Sequence, residues 1–325
     1  MTSGPSFDVQ LAPDAVCRQA ARLLQEGQVV AIPTETVYGL AARADQDQAV
    51  AAIYALKNRP SFNPLIIHCA DLQQAETLAE FDARARTVAE TFWPGPLTLI
   101  LPHKKTANIS KLATAGLSTV GIRIPAHPLA RTIIRESGLP LAAPSANPSE
   151  AISPTTAEHV RKGFSDVPGP ALIVDGGPCP HGLESTIVDL SDQVPLLLRP
   201  GSITPEQLIP LLGNLETAEI LKTIKAPGQM KRHYAPKQTH VRLDAHQVTA
   251  NEALLAFGPT PLQGAKYTLN LSPTGDLQEA AAHLFEYLHL LDRPDFEAIA
   301  VMPIPQEGLG LAIHDRLRRA AAPRA

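Results

Sequence analysis

Cysteine is scarce. Cys17, Cys69 and Cys179 stand far apart, with no Cys-x-x-Cys pair. Neither a disulfide framework nor a cysteine zinc site fits that spacing, and buried free thiols are expected instead. An excess of positive charge is also missing. The formal net charge is −4, so the totals do not predict a basic nucleic-acid-binding protein. No run approaches the roughly 18 apolar residues that a membrane-crossing helix needs. Met1 to Pro5 lacks the basic-then-apolar pattern of a secretory leader, and a cytoplasmic location is expected. Several catalytic signatures are absent as well. There is no Gly-x-x-x-x-Gly-Lys-Ser/Thr phosphate loop and no Gly-x-Gly-x-x-Gly after a strand. A Gly-x-Ser-x-Gly elbow and a His-Glu-x-x-His pair are lacking too, which counts against covalent and zinc hydrolases.

What is plentiful is proline. The chain has 31, against about 16 at ordinary usage. They fall in short signatures such as Trp93-Pro94-Gly95-Pro96, which predict many fixed turns. A length of 325 residues suggests two domains. Periodicity predicts helices over 13–26, 46–57, 82–92, 127–137, 154–162 (capped by Ser153) and 204–212, and a further helix capped by Asp71. Strands are expected at 29–32, 65–68, 97–101, 119–124, 141–143, 171–174, 185–190 and 196–199. Their sum is an α/β domain with mixed strand directions over residues 1–213. Residues 214–239 have little periodicity and read as a linker or functional loop. Within 226–240 lie Lys231, Arg232 and Lys237 and no acid, so that stretch could lie over an anionic ligand as a lid. Residues 240–325 read as a second, small α/β domain, with strands at 241–243, 253–257, 267–269 and 298–301 and helices at 277–291 and 310–321.

Polar clusters sit at the strand ends. Thr34 and Thr36 follow a buried strand, where open α/β sheets bind ligands, although a plain capped turn has the same composition. Lys57 and Arg59 suit a polyphosphate, and equally suit the negative end of a helix. His68 ends a strand. Thr119, Gly121 and Arg123 share one strand face. An arginine in an apolar strand needs a partner, either an internal carboxylate or a ligand carboxylate in a bidentate pair. Pro144-Ser145-Ala146-Asn147-Pro148, then Ser153, Gly182-Leu183-Glu184-Ser185-Thr186 and Leu198-Arg199-Pro200-Gly201 complete the set.

In this order, and with Phe92 to Thr98, these clusters resemble the YrdC-type L-threonylcarbamoyladenylate synthases. His233-Tyr234-Ala235-Pro236 and the stretch from Gly308 to Leu317 resemble the longer, two-domain members. The resemblance implies a twisted mixed-sheet α/β sandwich with a cleft, plus a small Rossmann-like domain. It implies synthesis of threonylcarbamoyl-AMP from L-threonine, bicarbonate and ATP with release of pyrophosphate. Other proteins would then transfer the threonylcarbamoyl group to an adenosine beside the tRNA anticodon. It places Thr34, His68, Arg123, Ala143 and Ser185 at L-threonine. It places Lys57, Ser61, Thr119, Ser145, Ser153, Arg199 and Tyr234 at ATP, assisted by Arg59 and Asn147. Magnesium is expected with the ATP, without protein ligands that can be named. Expected partners are the downstream tRNA-modifying transferases and, weakly, tRNA, with no membrane. Two other readings compete. A non-catalytic RNA-binding module would need a stronger basic footprint. A carbamoyl-phosphate-dependent maturation enzyme would need cysteine clusters and a further domain.

Overall fold

Alternation of apolar and polar residues along the strands decides which side of the main sheet faces water-soluble ligands. The computed structural model describes residues 13–217 and 233–323. In chain order the elements are α1 (Pro13–Gln25), β1 (Val30–Ile32), β2 (Gly39–Arg43), α2 (Asp47–Lys57), β3 (Ile66–His68), α3 (Leu72–Leu78), α4 (Ala83–Phe92), β4 (Leu97–Pro102) and β5 (Thr119–Arg123). There follow α5 (Pro128–Ser137), β6 (Leu141–Ala142), α6 (Ala157–Gly163), β7 (Leu172–Ile173), β8 (Thr186–Asp189), β9 (Leu196–Arg199), α7 (Pro205–Leu212) and β10 (Glu216–Thr217). The strands form one mixed sheet, ordered β10-β9-β8-β4-β5-β3-β6-β2-β1-β7.

Leu99, Leu101, Val120, Ile122, Ile67 and Val188 point into one core with residues of α2, α4 and α7. Ile66, Ile100, Ile187 and Leu198 form a small cluster of their own. Gly121 and Arg123 alternate with the core residues of β5, and His68 with Ile67 on β3, so period-2 geometry sends them to the other face. That face is the floor of the cleft. Asp71 caps α3 as expected and Asp82, read as the first residue of its helix, caps α4, accepting from the backbone N–H groups of Gln74 and Ala85. Gly138 ends α5 in the left-handed conformation.

The remaining elements are β11 (Val241–Arg242), β12 (Ala253–Ala256), β13 (Tyr267–Asn270), α8 (Leu277–Leu291), β14 (Ile299–Val301) and α9 (Leu309–Ala320). Their four strands are all parallel, in the order β11-β14-β12-β13. The apolar stripe of α8 (Ala281, Leu284, Phe285, Leu288) packs in a common core with Ala312, Ile313 and Leu317 of α9.

Three details depart from the sequence reading. Helix α6 starts at Ala157 and is capped by the Thr156 hydroxyl, not by Ser153. The Ser153 hydroxyl is instead taken by Glu184. Strand β2 was not foreseen, because its Gly-Leu-Ala-Ala-Arg composition carries little β-propensity and pairing with β1 and β6 supplies the order instead. Strand β10 pairs with β9 and extends the first sheet into the stretch expected as linker. The expected cations Lys231 and Arg232 lie outside the described residues.

Candidate functional site

The cleft is built around two buried ion pairs. Arg123, at the end of β5, donates from Nη2 to Oε1 of Glu35 at 2.7 Å, from Nη1 to the Thr36 hydroxyl at 2.9 Å and from Nε to the Gly95 carbonyl at 3.2 Å. Both side chains are only 4–6% exposed. The internal carboxylate is therefore the partner that an arginine in an apolar strand required. Burial would raise the Glu35 carboxyl, but the Arg123 guanidinium outweighs it and holds the group below its ordinary range. The Thr34 hydroxyl donates to the Val37 carbonyl at 2.6 Å and accepts from the Thr36 and Val37 N–H groups, which fixes the turn after β1.

On the opposite wall, Arg199 at the end of β9 donates from Nε to the Ser185 carbonyl at 3.0 Å and from Nη2 to the Ser185 hydroxyl at 3.1 Å. That hydroxyl lies 2.8 Å from the Thr98 hydroxyl. Glu184 accepts a short hydrogen bond from the Ser153 hydroxyl and a 2.9 Å bond from Nε of Arg316 on α9. Burial would raise Glu184 too, but Arg316 and Arg199 hold it below the usual carboxylate range.

Thr34, Thr36, Arg59, His68, Arg123, Ala143, Ser145, Glu184, Ser185, Arg199, His233 and Tyr234 together line one cavity. Burial, then the Arg123 charge, pushes His68 down to about 3, and burial also lowers His233 well below its ordinary value. Both imidazoles are thus uncharged at neutral pH. Positive charge comes from Arg59, Arg123 and Arg199. The free space between these side chains is about 40 Å³, room for a few waters. Tyr234 forms part of the wall. It is fully buried, with a backbone φ of 61° and a hydroxyl that has no partner. Residues 233–235 are held by bonds from the His233 N–H to the Arg319 carbonyl and from the Ala235 N–H to the Glu150 carbonyl.

Two family profiles cover almost the whole chain. The Sua5/YciO/YrdC profile, described as "Telomere recombination", matches residues 22–201. "Threonylcarbamoyl-AMP synthase, C-terminal domain" matches residues 203–322. A Bacillus subtilis protein named threonylcarbamoyl-AMP synthase is 43% identical over 96% of this chain and 94% of its own. The chain belongs to the threonylcarbamoyl-AMP synthase family. A Pyrococcus abyssi synthase of the same name is 39% identical over 94% of this chain and 93% of its own. The crystal structure of P. abyssi Sua5 complexed with L-threonine superposes with a TM-score of 0.86 at 37% identity, covering 95% of this chain and 94% of that one. The mixed main sheet with a second, parallel sheet is the architecture of this family.

In this synthase-family fold, all five residues expected at L-threonine (Thr34, His68, Arg123, Ala143 and Ser185) line the cavity. So do Arg59, Ser145, Arg199 and Tyr234 of the nine expected at ATP. The other five lie outside the lining. Lys57 is buried and donates to the Ser145 and Asn147 carbonyls at 2.6 and 2.5 Å, so its charge is spent on holding that turn. Burial and then Arg59 lower its ammonium well below the ordinary range. Asn147 donates to the Pro148 and Ala151 carbonyls. Ser153 serves Glu184, Ser61 is exposed, and Thr119 sits at the far end of β5.

The sequence picks out Thr36 with Thr34 as the pair of hydroxyls after a buried strand, whereas Glu35, Glu184, His233 and Arg316 stand only within motifs and are given no role by it. A usable signal existed for Arg316. It occupies the apolar face of a helix beside Ala312, Ile313 and Leu317, and a buried charge there demands a partner, as for Arg123. Glu184 of the cavity lining and Glu35 beside Arg123 are each paired with an arginine. No group of three or more His, Cys, Asp or Glu side chains is placed to hold an ion among the described residues. The residues present therefore do not fit a resident metal, and no step is derived through one. No helix of the described residues is long and apolar enough to cross a membrane.

Proposed function

We propose that this chain makes threonylcarbamoyl-AMP from L-threonine, bicarbonate and ATP, with pyrophosphate as the second product. The observation that carries the proposal is convergence. Residues from distant motifs between Thr34 and Tyr234 meet in one cavity with three arginines and no activated nucleophile. Such a cavity suits chemistry in which the substrates supply the reacting groups. The threonine amine and bicarbonate condense to a carbamate with loss of water. A carbamate oxygen then bonds to the α-phosphorus of ATP, the bond from that phosphorus to the β-phosphate bridging oxygen breaks, and pyrophosphate leaves.

The protein's part is positioning and charge stabilisation. Thr34, His68, Arg123, Ala143 and Ser185 would seat L-threonine. Arg59, Ser145, Arg199 and Tyr234 would meet ATP. Lys57, Asn147 and Ser153 would act one layer back, by holding the Ser145 turn and Glu184. Magnesium would travel on the ATP phosphates. With about 40 Å³ of free space, the cavity must widen to take ATP, and withdrawal of Tyr234 would widen it. The segment from His233 to Pro236 is accordingly read as a lid that closes over the labile carbamate and mixed anhydride. The product would pass to proteins that modify the tRNA adenosine beside the anticodon. The deciding experiment is pyrophosphate release from ATP by the full chain. Release should require both L-threonine and bicarbonate, and equal release without either would refute the proposal.

A further inference from the structure

The segment Gly182-Leu183-Glu184 leaves the first domain and is received by the second. Gly182 has a φ of 65°, and a Cβ there would fall 2.4 Å from the Ala282 carbonyl oxygen of α8. Leu183 is fully buried in the core that α8 and α9 share. Glu184 meets Arg316, which is 0% exposed. From that one guanidinium, Nε holds the Glu184 carboxylate at 2.9 Å, and Nη1 holds the Pro200 carbonyl at 2.8 Å and Asp315 at 3.1 Å. Its Cζ stands 5.5 Å from the centre of the Tyr234 ring, within cation–π range. Glu184, Tyr234 and Arg199, the neighbour of Pro200, all line the cavity, whereas Arg316 does not.

We infer that Arg316 is a positioning residue through which the C-terminal domain builds the ATP side of the cavity. The inference rests on the synthase reading above for the identity of the ligand. It assigns the second domain a part in the site beyond tethering the lid. Glu184 is an ionised carboxylate facing a cavity meant for a polyanion. Paired with Arg316 it is neutralised from behind and can orient Ser153. Unpaired, it would be a buried negative charge against the phosphates. Thr34, His68 and Arg123 sit on the other wall and make no bond to this network, and only Ser185, next to Glu184 and bonded by Arg199, links it to the threonine end, so that end should be affected less than the nucleotide end.

The test is calorimetry on the full chain, with a non-hydrolysable ATP analogue and with L-threonine as separate ligands, alongside steady-state pyrophosphate release. Arg316→Met should weaken the ATP analogue by about ten-fold or more and raise the ATP KM in parallel, while L-threonine affinity moves less than about three-fold. Glu184→Gln placed in the Arg316→Met background should restore part of the nucleotide affinity, because the uncompensated charge is removed. A purely structural arginine predicts no such rescue. Arg316→Lys, which keeps the charge without the fork, should fall between wild type and Arg316→Met, and it decides the matter if the Met variant does not fold. Equal losses for both ligands, unchanged nucleotide affinity, or an additive loss on adding Glu184→Gln would each overturn the inference. A wild-type chain that binds the analogue but releases no pyrophosphate would sink the synthase reading, and the variant comparison would still decide the role of Arg316.

Discussion

Two buried cations that look alike in the sequence do different work. Arg123 is tied to Glu35, so Arg123→Ala should raise the L-threonine KM far more than the ATP KM and should also destabilise the fold. Stranding a buried carboxylate costs about 3–5 kcal/mol. Arg123→Lys keeps a charge opposite Glu35, and it should separate the two effects, with a smaller fall in Tm and a retained threonine defect. A threonine KM unchanged in both folded variants would remove Arg123 from the threonine site. Lys57→Met should act through the turn. It leaves the Ser145 and Asn147 carbonyls without their donor, at about 1–3 kcal/mol for each unsatisfied group. Nucleotide affinity should therefore fall together with Tm. For Arg199→Met, whose side chain lines the cavity, affinity should fall further than stability. Paired thermal melts and calorimetry distinguish these patterns.

Helix α6 of the first domain and helix α8 of the second meet through stacked imidazoles. The ring centroids of His159 and His289 are 3.9 Å apart and 19° from parallel. His289 Nε2 lies 3.2 Å from the Ser153 carbonyl. The Thr155 N–H reaches His159 Nδ1 at 3.3 Å, which marks that nitrogen as an acceptor. Burial lowers His159 to about 4 and His289 to about 3, with Lys162 adding to both effects and Glu158 opposing at His159. The folded values lie below the unfolded value of about 6.5. As pH falls through 6.5 the unfolded chain takes up protons first. The stability of the neutral pair is therefore complete above that pH and is lost progressively down to the folded values. His289→Gln keeps a donor for the Ser153 carbonyl and removes one titration, so its Tm should fall less steeply between pH 7 and pH 5. Parallel slopes for variant and wild type would remove the pair from the acid response. Gly182 joins the same two domains by a close approach. Gly182→Ala meets the α8 backbone and a left-handed φ at once, and it should lower Tm and weaken ATP binding together.

At the scale of the whole molecule, the proposed lid requires motion during the catalytic cycle. Tyr234 packs 5.3 Å from Phe285 of α8 and 4.0 Å from the His233 ring. Its left-handed backbone stores strain of about 1–3 kcal/mol, which withdrawal would release. Amide hydrogen exchange at residues 233–240 should slow when ATP and L-threonine are both bound. Tyr234→Ala should lose turnover, because water reaches the carbamate. Unchanged exchange together with full activity of the variant would leave the segment a simple tether.

Legibility followed the range of the interactions. The α/β class, nearly every helix, the two-sheet division and the cavity residues Thr34, His68, Arg123, Ser145, Ser185 and Arg199 could be read from local period, turn chemistry and the order of short motifs. Hydrophobic periodicity and Pro/Gly turns are short-range properties, and the sequence states them directly. Strand β2 and the cap of α6 escaped that reading because cross-strand pairing and the long-range bond from Ser153 to Glu184 overrode local preference. The partners of buried charges escaped it for a different reason. Glu35 lies 88 residues from Arg123, and Glu184 lies 132 from Arg316. The sequence by itself determined that such arginines must be neutralised, since an unpaired charge cannot be left in an apolar core. Only tertiary structure decided which carboxylate does it. Lys57 shows the same division, with its cationic character written in the chain and its use on two backbone carbonyls settled by packing. The second domain's hold on Glu184, a cavity residue, was likewise decided in three dimensions, because it depends on two helices closing around Gly182, Leu183 and Glu184.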